Sequence, residues 1–223
     1  MQHGNLSMMS IKEIFLSLTA IIFVTLFPHF DIIPIPFGYS ILILIFVWFF
    51  LKYFKENFEH IGFSIKNLTI KTVLFAALAG VFIFYFLEYA LFPLLEKLVQ
   101  LPPSDLGDFA KIKGNTGFYI FILIMGWVVG GFYEELVFHG FIFTRFEKMI
   151  PGKHTIRISF LLTNTIFAFY HFQLGSIGII NAFVAGSAYH LLMLFNKRNM
   201  WYSIICHAVF DTIALTYLYV GNG

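Results

Sequence analysis

Long apolar segments recur along the whole chain and limit what it can fold into. Hydrophobic residues make up 59% of the 223 residues, and charged residues only 12%. A soluble domain carries about 25% charged residues, so this chain has too few polar side chains to cover a globule in water. We therefore predict an all-α fold, a polytopic bundle of about seven transmembrane helices with six to eight possible, in one integral membrane domain covering residues 1–223.

Seven apolar segments are candidates for the membrane spans, which need roughly 17–25 apolar residues each. The predicted spans cover residues 14–27, 39–53, 72–94, 118–143, 158–170, 175–195 and 200–220. The first is short, has no clear cleavage site after it, and is interpreted as a retained span rather than a removed signal. The proline-rich stretch 28–36 cannot be helical throughout, and Pro102-Pro103-Ser104-Asp105 predicts a turn or a helix start.

Basic residues alternate between the connections that join these spans. The second, fourth and sixth connections carry lysine and arginine, the first and fifth carry none, and the third carries Lys97, Lys111 and Lys113 against three acids. The residues concerned are Lys52, Lys55, Lys66, Lys71, Arg145, Lys148, Lys153, Arg157, Lys197 and Arg198. This alternation predicts a cytoplasmic N-terminus, in what we expect to be a bacterial plasma membrane. The net charge of +2 is too small and dispersed for a nucleic-acid partner.

Two adjacent carboxylates, Glu134 and Glu135, stand in a run that is otherwise aliphatic, aromatic and glycine. Burying one ionised carboxylate at bilayer depth costs several kcal/mol, so an ionisable residue there indicates a functional site. Gly130 and Gly131 leave space one turn earlier for a neighbouring helix or a peptide backbone, and the spacing of Gly126 and Gly130 is typical of helix packing.

Histidines and an aspartate lie in two later spans. His171 ends the fifth span, and His207 with Asp211 shares one helix face in the seventh because residues at i and i+4 are neighbours. Counted from the cytoplasmic connections at ~1.5 Å per residue, these residues and Glu134 lie roughly 10–22 Å into the membrane. We expect them to face one cavity, reached from the cytoplasmic half.

Helical spacing also relates the glutamate pair to a third histidine. Glu135 and His139 are at i and i+4 and share a face, while Glu134 lies about 100° away around the helix. A polar residue in a membrane helix can also serve only as a hydrogen-bond partner between helices. This is the alternative interpretation of His207 and Asp211 when the two are considered alone. We assign four other polar residues to structure or interfaces: Glu88, Asn164, Asn181 and His190.

A carboxylate, two histidines and a second acid in a water-poor site are typical of two chemistries. A glutamate can act as a general base that activates water, with histidine as proton donor or oxyanion stabiliser. Alternatively, carboxylate and histidine can bind a divalent metal such as zinc, which activates the water. Both chemistries predict hydrolysis of a peptide or ester within the membrane.

Three motifs carry a resemblance to a known family. The chain reads Glu134-Glu135-x-x-x-His139, then Phe167-x-x-x-His171, then His207-x-x-x-Asp211. It resembles the CPBP intramembrane proteases over residues 117–218. That family includes the CAAX prenyl proteases of the Rce type and the bacterial Abi or bacteriocin-immunity proteins, and its motifs are Glu-Glu-x-x-x-Arg, Phe-x-x-x-His and His-x-x-x-Asn or Asp.

The resemblance implies a catalytic group of Glu134, Glu135, His171, His207 and Asp211. Glu134 would be the base that activates water, His171 its partner, His207 with Asp211 the oxyanion or second-ligand side, and Glu135 would orient the first carboxylate. A zinc ion, if used, would be held by Glu134, His171 and His207.

The histidine of the first motif departs from the family pattern, because His139 stands where the family has arginine. We predict that His139 supports the glutamate pair. The implied partners are membrane lipid and a membrane-embedded or lipidated peptide substrate. The alternative is a non-catalytic immunity or peptide-binding protein that keeps the protease fold.

Overall fold

The computed structural model describes residues 9–30, 32–99 and 107–221, without the side chain of residue 108. In that part of the chain seven helices, joined by turns and short 3₁₀ segments, account for the fold, and no strand occurs. The helices are α1 (Ile11–Leu26), α2 (Tyr39–Tyr53), α3 (Ile70–Val99), α4 (Thr116–Met149), α5 (Thr155–Tyr170), α6 (Gly175–Phe195) and α7 (Met200–Tyr219). The prediction of an all-α bundle is confirmed.

Five of these helices are long and apolar enough to cross a membrane: α1 with its 3₁₀ extension, α3, α4, α6 and α7. The apolar helix α2 has 15 residues and α5 has 16. These lengths and compositions fit a polytopic membrane protein. The predicted turn at residues 102–105 lies outside the described residues.

Polar side chains begin several of the helices. Ser10 accepts a hydrogen bond from the backbone N–H of Glu13 and forms a reciprocal capping box at the start of α1. Thr69, Asn115 and Asn199 accept backbone hydrogen bonds at the starts of α3, α4 and α7. Each such cap contributes about 1 kcal/mol, so the boundaries of these helices are encoded locally.

The longest helix, α4, extends further than its apolar segment predicted. It continues to Met149, so Arg145 and Lys148 are helical rather than part of a connection. Hydropathy places the end of a span at the first charged residue, but Arg145 is fully buried and pairs with Glu56 from the connection after α2. Since the charge has a partner within the protein, the helix continues past it.

The middle of α4 has an unusual backbone. Residues Gly126–Ile142 form π-type i→i+5 hydrogen bonds instead of the α-helical pattern. π segments occur frequently at functional sites because they change which side chains face a neighbour. α4 packs most extensively against α7. A Cβ atom at Gly131 would lie 2.8 Å from the Cβ of Ala208, so the glycine allows the two helices to approach closely, as predicted.

Candidate active site

A cavity of about 530 Å³ lies between α3, α4, α5, α6 and α7, with the start of α2 at its edge. Four of the predicted site residues line it: Glu134 from α4, His171 from the end of α5, and His207 and Asp211 from α7. Glu134 is 8% exposed and His207 is 7% exposed, so both groups are largely removed from the surroundings of the protein. Residues distant in sequence are therefore brought together at one wall of a mainly apolar space.

The second glutamate, Glu135, lies behind this wall and is fully buried. Its Oε1 accepts from Nδ1 of His207 at 2.9 Å, and its Oε2 accepts from Nδ1 of His139 at 2.6 Å. Both ring nitrogens must be donors because an ionised carboxylate only accepts. Glu135 thus contacts one histidine of α4 and one of α7, and its expected influence on the neighbouring Glu134 stays a prediction.

Backbone geometry orients His171. Its Nδ1 donates to the carbonyl oxygen of Phe167 at 2.8 Å, which leaves Nε2 directed at Glu134, 3.7 Å from Oε2. On α7, Nε2 of His207 lies 3.6 Å from Oδ1 of Asp211. Both separations exceed a direct hydrogen bond, and each is short enough for a water molecule to bridge the two groups.

Gly130 makes room for the aspartate. A Cβ atom at this position would collide with Oδ2 of Asp211 and lie 3.5 Å from Nε2 of His207. The glycine therefore provides space for the Asp211 carboxylate as well as for helix packing, which was its expected role.

The cavity extends toward the end of the bundle at which the first, third and fifth connections lie. Its lining includes Tyr39 at the start of α2, Gln173 after α5 and Leu218 near the end of α7. The basic connections join the opposite ends of the same helices. The prediction that the cavity is reached from the end with the basic connections is therefore wrong. The depth of the polar residues was counted from the basic connections. Such a count places the residues along the membrane normal, but it does not show on which side of them the cavity lies.

Sequence reasoning did not identify several residues of the cavity wall. The Tyr189 ring stacks on His207 with centroids 4.7 Å apart, and Phe167 meets the same imidazole edge to face at 6.2 Å. Glu88 and Asn181, which were assigned to structure or interfaces, also line the cavity. The spacing of these residues in the sequence does not predict that they line the cavity. An isolated polar or aromatic residue in an apolar helix does not reveal which neighbouring helix it faces.

Behind the glutamate pair, the described residues form a second buried polar group. Asn164 and His190 contact each other through Nδ2 and Nδ1 at 3.0 Å, in keeping with their structural assignment. The ring of His190 lies 4.6 Å from that of His139. The three side chains are fully buried. His139 consequently supports Glu135 by direct contact and is itself held between rings.

Metal binding is the second chemistry predicted for these side chains. Among the described residues, no group of three or more histidine, cysteine, aspartate or glutamate side chains is arranged to hold a metal ion. Nδ1 of His207 is engaged by Glu135 and Nδ1 of His171 by a carbonyl oxygen, the arrangement usual for metal-ligating histidines, and neither hydrogen bond occupies Nε2. Ligation by Glu134, His171 and His207 stays a prediction, as does activation of water by the Glu134 carboxylate without a metal.

Comparison with known protein families assigns the part of the chain that carries the site. Residues 116–213 match the model described as type II CAAX prenyl endopeptidase Rce1-like. This segment, which is less than half of the chain, is similar to the Rce1-like family. It runs from the start of α4 into α7 and contains all the candidate site residues, so the resemblance predicted from the three motifs is confirmed. Comparisons with curated proteins and with solved structures find no match. At the level of the family, the Rce1-like segment is that of a membrane protease.

Proposed function

We propose that the protein is an intramembrane endopeptidase that hydrolyses a membrane-associated peptide or a prenylated protein. The observation that carries the proposal is the placement of Glu134, His171, His207 and Asp211 on one cavity within the Rce1-like segment. Buried ionisable groups in a membrane protein are costly. The location of these four groups on one cavity supports a common role in the reaction. Each group would then act on the same bound peptide.

The first step of the proposed reaction uses Glu134 and His171. Oε2 of Glu134 and Nε2 of His171 lie 3.7 Å apart. A water molecule placed between them can donate one hydrogen bond to each atom and keep a lone pair for attack. Glu134 takes one proton as the water oxygen bonds to the peptide carbonyl carbon. The carbonyl π pair moves onto its oxygen, giving a tetrahedral oxyanion.

The second step uses the side of the cavity formed by α7. His207 carries a proton on Nδ1 toward Glu135, and in its doubly protonated form it donates Nε2–H to the oxyanion. Glu135 and Asp211 act as counter-charges on either side of the ring. As the oxyanion collapses, the C–N bond breaks and the proton held by Glu134 passes to the leaving nitrogen.

Membrane orientation follows from a separate observation. The alternation of basic connections supports a cytoplasmic N-terminus, and the cavity extends toward the opposite end of the bundle. In this proposal the substrate enters from the non-cytoplasmic side of a bacterial plasma membrane. Labelling of single cysteines placed at Gln173 and at Lys197 with an impermeant reagent in intact cells tests this: only the first is expected to react.

The activity is tested with the full chain reconstituted in liposomes that contain fluorogenic membrane peptides, with and without a prenyl group. Cleavage by the wild type and none by Glu134→Gln is the expected result. Loss of cleavage with a chelator, restored by zinc, would replace the carboxylate mechanism by the metal-dependent one. Peptide binding without cleavage by the wild type would favour the non-catalytic alternative.

A further inference from the structure

Glu88 is a charged residue of the cavity that the proposed reaction does not use. It lies in α3, outside the Rce1-like segment, and lines the same space as Glu134. Within the described part of the chain no hydrogen bond or ion pair to its carboxylate is found. The carboxylate is half-buried at the cavity, and a positive group that arrives with the substrate would give it a partner.

Apart from the two histidines of the reaction site, the charged residues that line the cavity are all acidic. Three carboxylates line it, those of Glu88, Glu134 and Asp211, and the described lining residues include no lysine or arginine. A pocket of this composition favours positive groups and disfavours an anionic substrate segment. Since Glu134 and Asp211 face the histidines of the reaction site, Glu88 remains to contact a positive group of the substrate.

The backbone at Glu88 also departs from regular helix. Residues Leu87–Leu91 form a π segment within α3, the second such segment beside the cavity after that of α4. A π segment inserts an additional residue into a turn and redirects the side chains around it. Here, Leu87 is buried and Glu88 is half-buried, and both side chains line the cavity.

The helix pairing places Glu88 relative to the reaction site. α3 and α7 run side by side, with Gly80 in close contact with the carbonyl of Cys206. From that level, Glu88 lies eight residues on and Asp211 five residues on, so Glu88 is ~5 Å further along the axis at 1.5 Å per residue. With a helix separation of 8–10 Å, the helix backbones at Glu88 and Asp211 are about 10 Å apart, which an extended peptide covers in about three residues.

We propose that Glu88 selects substrates that carry a positively charged side chain about two or three residues from the cleaved bond. The positive group forms a charge-assisted hydrogen bond with the Glu88 carboxylate in the cavity. The inference rests on the proposed function for the position of the cleaved bond, but the charge preference itself applies to binding as well as to cleavage. It assigns to α3 a part in substrate choice that the family segment does not contain.

The test uses membrane peptides of about 20 residues, rich in leucine and alanine, in liposomes of neutral lipid. Each peptide carries one lysine, and the lysine is moved along the series one position at a time. Matched peptides carry glutamine or glutamate at the same place. The wild type should cleave fastest when the lysine is about two or three residues from the cleaved bond.

Charge variants then assign the preference to one residue. Glu88→Gln should lower the ratio of kcat/KM for lysine over glutamate peptides by about tenfold, the effect of losing one charge-assisted hydrogen bond. Glu88→Lys should invert the preference. The matched control is Glu96→Lys, because Glu96 lies two turns later on α3, is exposed and does not line the cavity; it should keep the wild-type ratio.

Binding of the same peptides to Glu134→Gln and to Glu134→Gln/Glu88→Lys separates the two proposals. If the wild type cleaves but the ratio is equal in wild type and Glu88→Gln, the inference about Glu88 is wrong and the proposed function stands. If nothing is cleaved, the proposed function is wrong, and binding decides: a lysine preference that inverts with Glu88→Lys supports the inference, and an unchanged preference overturns it.

Discussion

Two buried charged clusters lie on the same helix, α4, and they differ in kind. The first, at mid-helix, joins Glu135 to His139 and His207 and places Glu134 on the cavity. The second, at the end of the helix, joins Arg145 and Lys148 to Glu56. The guanidinium of Arg145 is also surrounded by the rings of Phe50, Phe54 and Phe141, each centroid 5.7 Å away.

The first cluster is a candidate site of chemistry. The second cluster, formed by Arg145, Lys148 and Glu56, is a structural ion-pair group, which we call the structural lock. Arginine and lysine keep their charge, and here they bind a carboxylate that does not line the cavity. Histidine can gain or lose a proton, and here the rings border a cavity. Buried charge alone therefore does not indicate function; what matters is whether its partners can exchange protons and whether a substrate can reach them.

The largest effect is expected on the cleavage rate, from a change in the cluster that borders the cavity. Glu134→Gln removes the proposed general base while keeping the shape of the side chain, so cleavage in liposomes should fall by about 10²- to 10⁴-fold. The fold should persist, as judged by helix content and thermal unfolding in detergent. Glu147→Gln is the control, since Glu147 pairs with Arg198 away from the cavity; comparable losses in both variants would contradict the assignment.

The structural lock should respond in stability instead. Arg145→Ala removes the buried partner of Glu56 and leaves Lys148 as its remaining cation, so it should lower the free energy of unfolding by about 1–3 kcal/mol. Cleavage per folded molecule should change little. Unfolding in detergent measures this, with Arg198→Ala at the more exposed pair with Glu147 as control, expected to cost less than about 1 kcal/mol.

A double variant tests the same lock from the other direction. Glu56→Gln combined with Arg145→Met should recover most of the lost stability, because it removes both charges rather than one. If Arg145→Ala is as stable as the wild type, the two clusters do not differ in the way described.

A smaller effect is expected behind the cavity. His139→Ala removes one donor to Glu135 and should lower kcat by roughly tenfold with little change in KM, the loss of one charge-assisted hydrogen bond. His139→Arg supplies a donor again and should retain most of the activity. Equal kcat for wild type and His139→Ala would show that His139 only fills space, and activity found solely in His139→Arg would show that the wild type has lost the reaction.

The smallest expected effect is a loss of stability at acid pH. Burial alone would raise the pKa of the Glu56 carboxyl, but hydrogen bonds from Arg145 and Lys148 outweigh it and hold that pKa below its ordinary value. A lowered pKa contributes stability that is present at neutral pH and is lost as the pH falls below the ordinary glutamate range. Unfolding measured from neutral to acid pH should show this loss in the wild type, and Glu56→Gln should be less stable at neutral pH but show a flatter acid dependence.

The sequence by itself determined the class of fold and the residues worth testing. Apolar segments and caps such as Ser10 and Asn199 act locally, so the positions of the helices follow from them. The i, i+4 spacing of Glu135 and His139 likewise sets a contact within one helix, and that contact is present at 2.6 Å.

Only the tertiary structure decided how those helices face one another. The pairing of Glu135 with His207 and of Arg145 with Glu56 joins residues 72 and 89 positions apart. Such contacts depend on the rotation, tilt and separation of whole helices, which packing sets over many weak contacts. For the same reason the side of the site on which the cavity lies, and the presence of Glu88 in its wall, could not be derived from the spacing of polar residues along the chain.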